Sequence, residues 1–101
     1  MVELNQDEAS RLRQLIMGFR ITQLIYVAAK LDLSEHLSRA SLTAAELARK
    51  VGADADALYR LLRALASIGV YAETADARFE MTPAARLLLR NEPGSLRSTA
   101  S

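Results

Sequence analysis

Residues 42–81 read LTAAELARKVGADADALYRLLRALASIGVYAETADARFEM, and the fold is decided there. Thr43-Ala44-Ala45-Glu46 is a capping box: the Thr43 hydroxyl can accept from the Glu46 N–H, and the Glu46 carboxylate can reach back to the Thr43 N–H. The helix it opens runs to Val51 and stops at Gly52, which suits a left-handed cap; Leu47, Ala48 and Val51 face inward. Asp54 is the next N-cap, and the spacing predicts a helix over 55–68. Leu58, Leu61, Leu62, Leu65 and Ile68 lie on one side of it, with Tyr59, Arg60, Arg63 and Ser67 toward the other. Gly69 ends it. Two helices joined by a tight turn make a helix-turn-helix. Val70–Glu73 and Arg78–Met81 alternate apolar and polar residues about a turn at Thr74–Ala77, a β-hairpin. A hairpin directly after a helix-turn-helix is a wing. The fold class is therefore mainly α with a small β-hairpin, a winged helix-turn-helix.

Outward from this centre, a long helix is expected from about Asp7 to Lys30. Leu12, Leu15, Ile16, Phe19, Leu24, Val27, Ala28 and Leu31 recur in steps of three and four, as on one helix face. Met17, Ile21 and Ile25 form a second apolar strip. A helix apolar on two faces needs two burial partners. One is the domain's own core, and the second is expected to be another subunit. The dimer-interface residues assigned on this basis are Leu12, Ile16, Met17, Phe19, Ile21, Leu24 and Ile25. The alternative is that one chain buries both faces. A short helix through Ser38 follows, capped by Asp32 or Ser34 and burying Leu33 and Leu37. After the hairpin, Thr82 caps and Pro83 opens a last helix to about Arg90, with Ala85, Leu88 and Leu89 inward. Asn91–Ser95 is a break, and Ser95 is placed as the N-cap of a helix beginning at Leu96. The organisation expected is a flexible segment over 1–10, a winged-helix domain over 11–90 and the start of a linker over 91–101.

Composition narrows the function. The chain has 101 residues, half of them hydrophobic and a quarter charged, which suits one small globular domain. Thirteen basic residues against twelve acidic ones leave a formal net charge of +1, without the basic excess of a dedicated nucleic-acid binder. Cysteine is absent, so disulfides and thiolate metal sites are excluded. His36 is the lone histidine and has no second ligand at metal spacing, so no metal site is expected. The four glycines are isolated, and none forms a phosphate-cradling loop. No serine, histidine and acid cluster suggests a nucleophile. Asp54 and Asp56 sit at a helix start, where the dipole favours them without catalysis. No catalytic or cofactor-binding residue is therefore assigned in this chain. Met1–Glu8 lacks the basic and apolar regions of a signal peptide, so a cytoplasmic location is expected, with no membrane partner.

Three stretches carry a resemblance when taken in order: GFRITQLIYVAAKLDL at 18–33, LTAAELA at 42–48 and DALYRLLRALASIGV at 56–70. Phe79, Thr82-Pro83-Ala84-Ala85 and Pro93-Gly94-Ser95-Leu96 continue it. Together they resemble the amino-terminal dimerisation domain of the S-adenosylmethionine-dependent small-molecule O-methyltransferases, the group with the caffeate, hydroxyindole and bacterial polyketide enzymes. The resemblance implies a module that intertwines with its twin as a homodimer. It also implies that a donor-binding domain follows in the parent protein, holding the catalytic histidine, the S-adenosylmethionine site and the acceptor. Its first long helix lends residues to the partner's acceptor pocket. Phe19 and Gln23 stand at those positions; where plant members tend to carry Met, this chain has Gln23.

Two further readings stand beside it. In a winged-helix transcription regulator, Tyr59, Arg60, Arg63 and Ser67 would enter the major groove. Against that, two arginines are a thin footprint, Asp54 and Asp56 would repel phosphate, and Arg78 is the wing's one basic residue. The other reading is a stand-alone protein that dimerises or binds a small hydrophobe.

Overall fold

The computed structural model describes residues 6–89, and the caps set its helix boundaries. In the order of the chain these are α1 (Gln6–Lys30), α2 (Leu33–Leu37), β1 (Leu42–Thr43), α3 (Ala44–Val51), α4 (Ala55–Ser67), β2 (Tyr71–Glu73), β3 (Arg78–Met81) and α5 (Pro83–Arg86). The capping box forms as read: Thr43 Oγ1 accepts from the Glu46 N–H at 3.2 Å, and Glu46 Oε1 accepts from the Thr43 N–H at 3.0 Å. Gly52 closes α3 in the left-handed region at φ 71°. The Asp54 carboxylate accepts from the Ala57 N–H to start α4. Thr82 starts α5, accepting from the Ala85 N–H.

The hairpin is there, and it gains a third strand. The sheet order is β1-β3-β2, all antiparallel, with Leu42 opposite Phe79 and Tyr71 opposite Met81. Two residues, Leu42 and Thr43, are too short a run to show strand periodicity in the sequence. The core lies between this sheet and helices α2, α3 and α4. Leu33, Leu47, Leu62, Leu65, Tyr71 and Phe79 are its largest fully buried side chains. Large-to-small changes at such positions cost about 2–5 kcal/mol.

Several expectations are corrected. Neither candidate caps α2: Asp32 takes the N-cap position in the left-handed region at φ 55° with no side-chain cap bond. Ser34 is buried, and its hydroxyl donates to the Ala85 carbonyl at 3.0 Å and lies 2.7 Å from the Tyr71 hydroxyl. With the serine proton committed to Ala85, Tyr71 is the donor to Ser34. Burial pushes the Tyr71 phenol up to about 12. Ile68 was expected inward on α4, but the helix ends at Ser67 and Ile68 is exposed. The last helix is one turn, because Leu87, Leu88 and Leu89 continue with bonds to the carbonyls three residues back. Residues 6–10 are the first turns of α1 in place of part of a flexible segment. Residues 1–5, the 91–101 linker and the Ser95 cap lie outside the described residues.

Candidate functional site

α1 divides along its length, not around its circumference. At about 1.5 Å per residue its 25 residues extend roughly 37 Å, more than the rest of so small a domain can cover. Only the carboxy-terminal end is covered: Ala28 and Ala29 are buried, and Leu24, Ile25 and Leu31 pack against the core. Residues 11–20 are exposed all round. Leu15 is 70% exposed, Phe19 64%, Met17 54%, Leu12 50% and Ile16 49%. The first stripe is open from Leu12 to Phe19 and covered from Leu24 onward, and Ile25 of the second strip packs inward. Ile21 is half-buried and Gln23 is exposed.

The assigned residues therefore separate into two groups. Leu12, Ile16, Met17 and Phe19 are free apolar surface, and Leu24 and Ile25 also serve the core of their own chain. Leu15 was missed as a surface residue. The signal was present in the stripe's length, since 12–31 is longer than one small core can cover. Phe19 and Gln23 lie one turn apart on the open part of α1. A second apolar surface, which sequence reading did not anticipate, lies where α1 ends beside α4. Val27, Leu31, Ala53, Asp54, Ala57, Leu58 and Leu61 line a groove there.

The helix that would read DNA is occupied internally. Arg63 Nη1 donates to the Tyr59 hydroxyl at 3.0 Å, and that hydroxyl donates to Glu73 Oε2 at 3.2 Å. Arg63 Nε pairs with Glu73 Oε1 at 3.3 Å. Tyr59 also packs edge-on against Phe79, with 6.0 Å between ring centres. In the wing, Arg78 pairs with Glu46 at 3.2 Å and Asp76 at 3.4 Å, and it donates to the Ser41 carbonyl. Arg63 and Arg78 thus have their charge matched by neighbours in their own chain. His36 is half-buried on α2. Among the described residues no cluster of three or more His, Cys, Asp and Glu could hold a metal, and no helix is long and apolar enough to cross a membrane.

The profile of the O-methyltransferase dimerisation domain matches residues 13–91. The chain belongs to that family. It is 46% identical over 92 residues to a phenazine O-methyltransferase of Lysobacter antibioticus, covering 91% of this chain and 27% of the relative. The crystal structure of N,N-8-amino-8-demethyl-D-riboflavin dimethyltransferase from Streptomyces davawensis superposes with a TM-score of 0.88 at 34% identity, covering 92% of this chain and 28% of that one. An O-methyltransferase of neocarzinostatin biosynthesis, solved with S-adenosyl-L-homocysteine and 1,4-dihydroxy-2-naphthoic acid, superposes at 0.72 and 31% identity, covering 76% and 24%. The chain spans about a quarter of the length of these relatives.

Proposed function

We propose that this chain is the homodimerisation module of an S-adenosylmethionine-dependent small-molecule methyltransferase. The observation that carries the reading is the open apolar surface of α1 from Leu12 to Phe19. Fully burying side chains of this kind is worth about 1.5–3 kcal/mol each, and a single copy buries none of the five completely. A second copy offers the same surface, so one two-fold axis serves both. Leu12, Ile16, Met17 and Phe19 form the centre of the interface, with Ile21, Leu24 and Ile25 at its inner end.

In the parent protein, residues 91–101 would lead to a donor-binding domain that supplies the methyl group and the catalytic residues. This chain contributes shape instead: Phe19 and Gln23 reach the partner's acceptor pocket, one through an apolar ring and one through an amide. The relatives named above act on or bind a phenazine, a riboflavin derivative and a dihydroxynaphthoic acid, all flat ring systems. A flat aromatic acceptor in the cytoplasm is the corresponding expectation. The test is sedimentation of the full chain at tens of micromolar. The unmodified chain should be a dimer. Phe19→Glu should weaken association at least about tenfold, or 1.4 kcal/mol, without changing circular dichroism. Arg60→Glu should not. An unmodified chain that sediments as a monomer overturns the reading.

A further inference from the structure

The exposed face of α1 changes chemistry along its length. Leu12, Ile16, Phe19, Gln23, Tyr26 and Lys30 follow one another in steps of four and three, so they form one stripe, and all six are exposed. Up to Phe19 the stripe is apolar. Beyond it come an amide, a phenol ring and an ammonium. At this end of the helix Leu24, Ile25 and Ala28 pack into the core, which fixes the backbone that presents Gln23, Tyr26 and Lys30. Lys30 Nζ lies 5.8 Å from the centre of the Tyr26 ring, within reach of a cation–π contact. Arg63 and Arg78 have carboxylates against them, whereas this ammonium lies beside an exposed ring. We propose that Gln23, Tyr26 and Lys30 form a binding face for an aromatic carboxylate, with Lys30 holding the acid group. This rests on the acceptor reading above and adds to it two residues and the charge of the ligand.

The chemistry of the three side chains selects this ligand. A Tyr ring offers a π surface on which a flat ring system can stack. The Gln23 amide both donates and accepts, so it can meet a hydroxyl or a ring nitrogen. The Lys30 ammonium is a compact point charge with three donors, suited to a carboxylate at the edge of a ring. Gln23 and Lys30 are seven positions apart, or about 10 Å along the helix, close to the long dimension of a small fused-ring acid. The same residues are a poor continuation of the association surface. Lysine is depleted from protein–protein interfaces, where a buried ammonium needs a partner of its own. An anionic ring supplies both the surface that Tyr26 stacks on and the charge that Lys30 lacks in such a contact.

The test is NMR titration of the full chain with 2-naphthoate and, separately, with the neutral 2-naphthalenemethanol, with sedimentation run alongside. The expected result is that 2-naphthoate moves the signals of Gln23, Tyr26 and Lys30. It should bind at least about threefold tighter than the alcohol, the scale of one solvent-exposed ion pair. Lys30→Gln should abolish that preference and Lys30→Arg should keep it. Tyr26→Leu should weaken both ligands. All three positions are exposed or partly so, and none of these variants should change the sedimentation of the chain. No binding up to several millimolar, or equal affinity for acid and alcohol, in a chain that still dimerises overturns the carboxylate site and leaves the dimerisation reading standing. A monomeric chain without the preference overturns both.

Discussion

Ala77 closes the turn between β2 and β3 at φ 61°, a conformation that suits glycine and strains a side chain. The left-handed region costs a non-glycine residue about 1–2 kcal/mol, and glycine gives back part of that gain through its looser unfolded state. Ala77→Gly should therefore raise stability by about 0.5–1 kcal/mol. Urea denaturation checks this, and an unchanged or lowered midpoint would show that the turn is not strained. Ser34 joins α2, β2 and α5 through one hydroxyl. Tyr71→Phe leaves the Ser34 proton on the Ala85 carbonyl but removes the donor to its oxygen. Ser34→Ala strands the Tyr71 hydroxyl in the core, whereas the Ala85 carbonyl keeps the Leu88 N–H. Each change should cost about 1–3 kcal/mol, the usual penalty for a buried group left without its partner. The double variant should cost less than the two singles together, since neither partner is then stranded. Additive losses in a thermal-unfolding cycle would show that the hydroxyls do not depend on each other. Ser34 read as a helix cap in the sequence, because nothing local reveals that a residue 37 positions away will meet it.

At the scale of elements, Glu46 does two jobs. It completes the capping box of α3, and it anchors Arg78 of β3 at 3.2 Å, so it ties the helix-turn-helix to the wing. The Thr43 backbone bond, then the Thr43 side chain, hold its carboxyl below the ordinary carboxylate value of 4.5, with Arg78 and Arg49 adding to this. A carboxyl lowered in the folded state stabilises it above the unfolded pKa, and the effect fades as pH falls through the folded value. Glu46→Gln keeps an acceptor for the Thr43 N–H but loses the charge. The variant should therefore melt below the parent at pH 7, and the gap should narrow as pH drops below about 4.5. A gap of constant size from pH 7 to pH 3 would show that the charge contributes nothing. The capping box was legible because both partners lie within four residues, but the Arg78 contact spans 32 residues and was not.

For the whole molecule, the winged-helix outline does not bring DNA binding with it. Arg63 is held by Tyr59 and Glu73, and Arg78 by Glu46 and Asp76, so a duplex would have to break ion pairs to recruit either. Fluorescence titration in physiological salt should find only weak, unselective binding, far from the nanomolar range typical of specific recognition. Nanomolar affinity that falls with Arg60→Ala would restore the regulator reading. The shape of the molecule points elsewhere, to the part of α1 that its own domain leaves uncovered.

The helix starts at Thr43, Asp54 and Thr82, the stop at Gly52 and the order of helices and hairpin were legible along the chain, because caps and periodicity act within a few residues. Which apolar residues of α1 the domain keeps depends on packing between distant segments. Periodicity reports that Leu12, Leu15 and Phe19 lie on one side of a helix with Leu24 and Leu31, but not where along it the core ends. That limit comes from the size of α2 and α4 and how they pack, so a stripe continuous in the sequence is covered at one end and open at the other.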